Sequence, residues 1–296
     1  MAGEGAARRE TLAPGLYLLS APIGAARDIT LRALDVLRLA DMVVAEDTRT
    51  ARRLMTIHGI GLNGRPLSSY NDVNGPRRRP ALMTRLRRGE SLCYIPDAGT
   101  PLIADPGFRL VEEAQEEGIA VIPVPGPTAA IAALTVSGLP TDRFLFAGFA
   151  ATTSSRRQRQ LAELASVPAT LVFYESPRRL AGLLDDMALI LGEERRVAIC
   201  RELTKQHEEI VAGTTGELAG RFRGEGVRGE VVVVVGGCDQ VAPDAGEARD
   251  RMVELLSTMS LRDAVRQLAA ETGLSRSRAY ALALDMSADG ADDDQG

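Results

Sequence analysis

The sequence predicts an α/β protein, and three observations carry that prediction. Short apolar runs recur between residues 16 and 235. Amphipathic stretches of helical period lie between them. A chain of 296 residues with 45% hydrophobic and 25% charged residues is long and apolar enough for two modest cores. Alternating strand and helix signals imply largely parallel sheets.

The elements follow in order. Residues 16–20 read as a buried strand, and 29–39 as a helix with Leu31, Leu34 and Leu37 on one face. A second strand spans 42–46 and a second helix 48–58. Further strands are expected at 92–95, 120–124, 170–174, 197–200 and 231–235, with helices at 107–117, 128–136, 156–165 and 177–191. The turn-rich stretch 137–141 sets off two halves, 16–126 and 127–237, after a flexible N-terminus at 1–15. A Gly, Asp and Pro-rich linker at 238–247 leads to a helix-turn-helix-like piece at 248–286. There Ser260 and Asp263 are spaced as a capping box in its acid form. The acidic tail 287–296 reads as disordered.

Composition narrows the function. No window offers the ~18 uncharged apolar residues of a membrane helix, and the N-terminus lacks the apolar core of a secretion signal. Cys93, Cys200 and Cys238 are far apart, which fits neither a disulfide framework nor a metal site and suits a reducing cytoplasm. The net charge is −5, but it is unevenly placed. Residues 1–110 hold 16 arginines against 11 acidic residues. The runs Arg77–Arg79 and Arg156, Arg157 and Arg159 read either as solvated faces or as phosphate contacts. Lys205 is the sole lysine.

Two literal G-x-G-x-x-G matches, at 59–64 and 224–229, fail their context. A dinucleotide turn follows a strand and opens a helix; the first follows a helix and the second precedes a strand. No phosphate-binding P-loop, H-E-x-x-H or G-x-S-x-G pattern occurs. Four other loops sit directly after strands, where ligands bind in α/β sheets. They are APIG at 21–24, PDAGTP at 96–101 continuing to DPG at 105–107, VPGPTA at 124–129, and FYESP at 173–177. Together they point to a shared cleft whose carboxylates suit a ligand with amine, hydroxyl or cationic groups.

These loops, with AEDTR at 45–49, SGLPTDRFLFAG at 137–148, RELTKQHE at 201–208 and GEVVVVV at 229–235, resemble the ribosomal RNA small subunit methyltransferase I family. The likeness runs in order over 16–237, and the terminal helical hairpin resembles that family's C-terminal piece. It implies a two-domain tetrapyrrole methylase-like fold (a class III S-adenosylmethionine methyltransferase) with a small C-terminal helical hairpin. It also implies a cytoplasmic homodimer with no metal and no membrane contact, which moves a methyl group from S-adenosylmethionine (SAM) to a cytidine ribose 2′-hydroxyl of the small-subunit (16S) rRNA decoding centre.

By position, the family's cofactor cleft falls on Pro22, Gly24, Asp97, Ala98, Gly99, Pro101, Pro125, Gly126, Thr128, Ala129, Tyr174, Glu175, Glu202, Leu203, Gly229 and Glu230. The sequence departs from the family pattern at Ala21, Ala25, Pro96, SYNDVN at 69–74, and 150–155. A same-fold methyltransferase of a small tetrapyrrole-like acid and a helix-turn-helix DNA-binding regulator are the alternatives. The Arg-rich N-terminal half and the terminal helical hairpin favour RNA over the first, and against the second stand a final helix with only Arg276 and Arg278 as basic residues and an enzyme-like body it would leave unexplained.

A ribose hydroxyl is a weak acid, so methyl transfer gains from a base or from a cation that stabilises the developing alkoxide. Lys205 is the first candidate, with Glu46 and Asp47 beside it. Asp47 reads equally as the N-cap of the next helix. Arg49, Arg52, Arg53, Arg77, Arg78, Arg79, Arg156 and Arg157 are the expected RNA contacts, with binding that weakens as salt rises.

Overall fold

The computed structural model describes residues 11–224, 226–238, 245–272, 279–280 and 282–283. The first sheet contains β1 (Gly15–Leu19), β2 (Met42–Ala45), β3 (Leu67–Ser69), β4 (Ser91–Ile95) and β5 (Val121–Val124) in the order β3-β2-β4-β1-β5, and all its pairings are parallel. Side chains alternate between its faces, as strand geometry requires. Leu19, Val43, Ala45, Cys93 and Ile95 pack beneath α1 (Leu31–Leu39) and α2 (Thr48–Ile57). Leu16, Val44, Leu92 and Tyr94 pack against α3 (Gly75–Arg87) and α4 (Phe108–Glu116). Burial on both faces explains why these strands read as continuous apolar runs.

This topology creates a crevice. β1 and β4 are neighbours, but β1 leads to a helix on one face and β4 to a helix on the other. Their exit loops diverge, and the carboxyl ends of the two strands are left open. The loops are tied across that opening by paired backbone bonds, Ala21 N–H to Gly99 O at 2.8 Å and Gly99 N–H to Ala21 O at 3.0 Å.

The second sheet follows α5 (Ala129–Val136). It orders β6 (Phe144–Phe149), β7 (Thr170–Glu175), β10 (Val231–Val235), β8 (Arg196–Arg201) and β9 (Glu209–Thr214) as β6-β7-β10-β8-β9. Only β6–β7 is parallel, which corrects the expectation of largely parallel sheets. The strands β7 and β8 do run in one direction, joined by α7 (Leu180–Leu191). The last strand, β10, then inserts between them antiparallel. The short 202–208 connection turns β8 into an antiparallel partner of β9, since it is too short for a crossover. One face, with Val172, Ala198, Cys200, Val232 and Val234, packs with α5. The helices α6 (Ser154–Leu164), α7 and α8 (Thr215–Phe222) pack side by side and bury Leu161, Leu183, Met187 and Phe222.

Hydrophobic period did not reveal β3, α3, β6, β9 or α8. The short β3 has only three residues. The helix α3 carries Pro80 inside it and a run of arginines, which blur its apolar stripe. The edge strand β9 alternates only between partly buried and exposed residues. The start of α8 is marked instead by a capping box, in which the Thr214 hydroxyl accepts from Glu217 N and the Glu217 carboxylate from Thr214 N.

By internal contacts, 1–165 and 169–236 form one compact unit, and 166–168 with 237–296 form a second. In the second unit α9 (Ala245–Thr258) begins within the stretch expected to be linker, and α10 (Leu261–Thr272) follows. Met252, Leu255, Ala264, Val265 and Leu268 form its core. At the start of α10 the Ser260 hydroxyl accepts from Asp263 N at 3.3 Å and donates to the Asp263 carboxylate at 2.7 Å, so the acid-form cap closes through the side chains. Beyond residue 272, most of the expected helix-turn-helix-like piece and all of the 287–296 tail lie outside the described residues. Among the described residues no helix is long and apolar enough to cross a membrane.

Candidate functional site

Above the β1/β4 crevice lies a cavity of about 240 Å³, bounded on its far side by β7, β10 and the loop after β8. Of the sequence-predicted residues, Ala98, Gly99, Ala129, Tyr174, Glu175, Leu203 and Glu230 line it directly. Ile23, Ile103, Phe149 and Val232 complete an apolar wall with Thr100 beside it; Ile23 and Thr100 belong to the APIG and PDAGTP loops, and the other three lie outside any motif read as site residues. Ile103, Phe149 and Val232 are ordinary apolar residues in sequence, and only the approach of the second sheet to the β1/β4 loops marks them. Asp105 also lines the cavity; its signal was present in the DPG segment.

Several predicted residues act behind that wall. Gly24 has no room for a side chain, because a Cβ there would stand 2.6 Å from the Thr204 hydroxyl and 2.6 Å from the Lys205 stem. Gly126 is equally confined, with Ser20 Cβ at 2.8 Å. Gly229 combines a φ of +90° with Glu202 Cδ only 2.3 Å from a would-be Cβ. Gly24 and Gly229 let the 202–205 loop seat against its neighbours, and Gly126 lets the chain after β5 approach the end of β1. Pro22, Pro101, Pro125 and Thr128 shape the loops without lining the cavity. The Thr128 hydroxyl makes no capping bond to α5, and Pro125 O accepts from Thr30 Oγ1 at 3.5 Å.

Tyr174 points its hydroxyl at the start of α5, where it accepts from Ala130 N at 3.2 Å. Its ring meets Phe146 and Phe149 edge-on, at centroid distances of 4.9 and 5.8 Å. Glu175 is 3% exposed. One oxygen, Oε1, accepts from Ser176 N at 2.7 Å and from Arg179 Nε at 2.7 Å. The other, Oε2, is buried without a hydrogen-bond partner. A buried carboxylate oxygen with no donor is costly, and here the Arg179 guanidinium on Oε1 offsets that cost.

Lys205 does not act as a free base. Its Nζ donates to Glu202 Oε1 at 2.8 Å and to Glu230 Oε2 at 2.9 Å. Burial opposes its charge, but the two carboxylate bonds outweigh burial and hold its pKa above the ordinary lysine value. The arrangement makes it a fixed cation beside the cavity. Glu202 sits below the usual carboxylate range chiefly because Lys205 bonds it. The loop holds Glu202 and Thr204 at φ of +51° and +63°, a costly conformation for non-glycine residues.

Glu46, Asp47 and Asp97 line a neighbouring open cavity of about 380 Å³. Asp47 is the N-cap of α2: its carboxylate accepts from Arg49 N at 2.7 Å. It is drawn down to about 2, first by its bond to the Arg49 side chain. Glu46 is raised by burial, with Asp97, Asp72 and Asp47 adding repulsion. Asp105 is raised further, to about 7, by burial and then by Glu46 and Asp97.

The predicted RNA contacts divide. Arg52, Arg53, Arg77, Arg78 and Arg156 are exposed, as is Arg49, which is tied to Asp47. Arg79 is partly spent on Glu113 at 2.6 Å. Arg157 is a correction. It is 6% exposed and bound to Asp186 at 2.5 Å, with Gly182 O at 3.1 Å, so it braces α6 against α7 instead of facing solvent. Its place one residue after exposed Arg156 turns it to the inner face of α6, which a linear run of arginines does not show.

Comparison with known proteins agrees with this geometry. The profile of the Tetrapyrrole (Corrin/Porphyrin) Methylases matches residues 15–219, and that of the RsmI C-terminal HTH domain matches 242–287. A protein of Mesorhizobium japonicum named "Ribosomal RNA small subunit methyltransferase I" is 44% identical over 97% of this chain and 97% of its own length. A protein of the same name from Escherichia coli O157:H7 is 40% identical, over 91% of this chain and 94% of its own. Among solved structures, a cobalt precorrin-4 methyltransferase of cobalamin biosynthesis superposes with a TM-score of 0.58 at 20% identity, covering 75% of this chain and 94% of that one. Diphthine synthase does so with a TM-score of 0.58 at 14% identity, over 75% and 89%. These last two likenesses concern the fold.

Proposed function

The chain belongs to the ribosomal RNA small subunit methyltransferase I family within the tetrapyrrole methylases, and on that premise we propose that it methylates a cytidine ribose 2′-hydroxyl of small-subunit rRNA with SAM as donor. The rRNA substrate follows the names its relatives carry. The tetrapyrrole and DNA-regulator alternatives are not favoured by those relatives.

The observation that carries the donor is the cavity walled by Ile23, Ile103, Phe149 and Leu203 with the Glu230 carboxylate on its lining. That combination fits a ligand with cationic groups on a partly apolar body. Ala98, Gly99, Ala129, Tyr174, Glu175 and Leu203 would hold it. When bound, SAM supplies a methyl group already activated by a sulfonium centre. The protein's task is then to align the hydroxyl with that methyl group, keep water out, and manage one proton. Lys205, held protonated between two carboxylates, places fixed positive charge near the developing alkoxide. Exposed Arg52, Arg53, Arg77, Arg78 and Arg156 supply phosphate contacts.

We read 16–126 and 127–237 as two halves that enclose the cleft, in a cytoplasmic homodimer. The test is radiolabelled methyl transfer onto small subunits from a strain lacking the enzyme, with nucleoside mapping. Label in one 2′-O-methylcytidine is expected. Methylation of a porphyrinoid and not of rRNA overturns the reading.

A further inference from the structure

Asp105 stands where two cavities share a wall. It lines the 240 Å³ cavity, and it also lines a second cavity of about 260 Å³ formed by Tyr70, Asn71, Arg79, Phe108 and Arg109. The motif reading placed it in a cleft loop but named it neither as a catalytic nor as a cofactor-binding residue. The backbone around it is held in unusual conformations: Leu102 and Ala104 take φ of +69° and +61°, and Gly107 takes +125°. Such conformations persist only where the surroundings enforce them, and they cluster at functional sites. Here the anchor is the buried Tyr94, whose hydroxyl donates to Pro106 O at 2.8 Å. Among the described residues the Asp105 carboxylate makes no hydrogen bond and no ion pair, although it is half-buried.

The second cavity has the chemistry of a nucleotide seat. Phe108 offers an exposed ring, Asn71 offers an amide, Arg109 lies exposed at the rim, and the buried Tyr70 forms the floor. We propose that the acceptor nucleotide enters through this groove and that the Asp105 carboxylate takes the proton of the acceptor hydroxyl as the methyl group is transferred. This rests on the rRNA methyltransferase reading above. The hydroxyl O–H bond breaks and its proton passes to an Asp105 oxygen. The oxygen forms the new bond to the methyl carbon, and the electron pair of the broken carbon–sulfur bond stays on sulfur. Asp105 afterwards returns the proton to solvent.

The electrostatics agree. Glu46 and Asp97 face Asp105 from the ends of β2 and β4, and Asp72, Arg79 and Arg109 belong to the groove. Glu175 and Glu230 lie across the first cavity, and Tyr94 lies beneath. Burial first, and then the charges of Glu46 and Asp97, raise Asp105 to about 7, where a general base is most effective, while Glu175 and Glu230 are paired with Arg179 and Lys205. Below about 7 the base is protonated and idle, so the rate of transfer rises with pH through that value.

The experiment is single-turnover methyl transfer to small subunits from pH 5.5 to 9, with wild type, Asp105→Asn and Asp105→Glu. SAM binding by calorimetry and a 13C NMR titration of the Asp105 carboxyl in the ligand-free protein accompany it. The wild-type rate is expected to climb to a plateau above about pH 7. Asp105→Asn is expected to be slower by about 10²-fold or more with a flat profile and SAM affinity nearly unchanged, and in the wild type the Asp105 carboxyl is expected to titrate near 7. An Asp105→Asn enzyme as fast as wild type, a flat wild-type profile, or a carboxyl that titrates in the ordinary aspartate range overturns the inference while leaving the methyltransferase reading intact. If the variants fail to fold, the wild-type profile and the titration decide alone. Wild type that transfers nothing to rRNA overturns the reading beneath it as well, while the titration still reports on Asp105.

Discussion

Replacing Arg157 with alanine isolates a buried ion pair that linear sequence presents as part of an RNA-binding run. Arg157 and Asp186 are each 6% exposed. Asp186 Oδ2 accepts from Arg157 Nε at 2.6 Å, and its Oδ1 accepts from Ser154 Oγ at 2.9 Å and Gln158 Nε2 at 2.7 Å. Removing one member of a buried pair costs roughly 3–5 kcal/mol, because the other charge is left without its counterion. Asp186 keeps two neutral donors, which puts the loss at the lower end, about 3 kcal/mol. For a unit of this size that corresponds to a fall in melting temperature of roughly 6–12 °C. The assay is thermal unfolding by calorimetry at neutral pH, alongside rRNA binding measured well below the lowered midpoint. The double variant Arg157→Met with Asp186→Leu is expected to recover most of the loss, since it leaves no buried charge behind. Arg157→Ala that melts within about 2 °C of wild type, or that stays stable and loses rRNA affinity, refutes the assignment of Arg157 as a brace.

Other outcomes follow from the same geometry. Lys205→Ala is expected to slow methyl transfer by about 10²-fold while SAM affinity changes far less, because its ammonium contacts Glu202 and Glu230 and does not line the cavity. Unchanged turnover removes Lys205 from the chemistry. Of the three free cysteines, only part-exposed Cys238 is expected to react with a thiol reagent in the native protein. Burial pushes Cys93 up to about 12 and Cys200 up to about 11, which leaves almost no thiolate. A thiol count above one before unfolding contradicts this.

Much of the site was legible because the fold places ligands at strand ends. Loops such as PDAGTP and FYESP carry Gly, Pro and carboxylates directly after apolar strands, and those signals are local. The glycines at 24 and 229 were legible as motif positions, but their reason was not. It lies in Thr204, Lys205 and Glu202, which are distant in sequence for Gly24 and reach Gly229 only through the β8–β10 pairing. The strands 16–20 and 231–235 were visible because burial on both faces leaves an unbroken apolar run. The edge strand β9 and the arginine-rich α3 were not, because their exposed faces dilute the period.

The sequence by itself determined the α/β class, the order of the main strands and the loops that build the cleft. Each depends on residues within a few positions of one another. Only the tertiary structure decided the direction of the second sheet, because β10 enters between β7 and β8 from far along the chain. It alone turned Arg157 inward and clamped Lys205 between Glu202 and Glu230. It alone left Glu175 Oε2 without a donor and raised Asp105 to about 7. Charge states and orphaned polar atoms depend on which distant groups burial brings together, and no local pattern of residues encodes that.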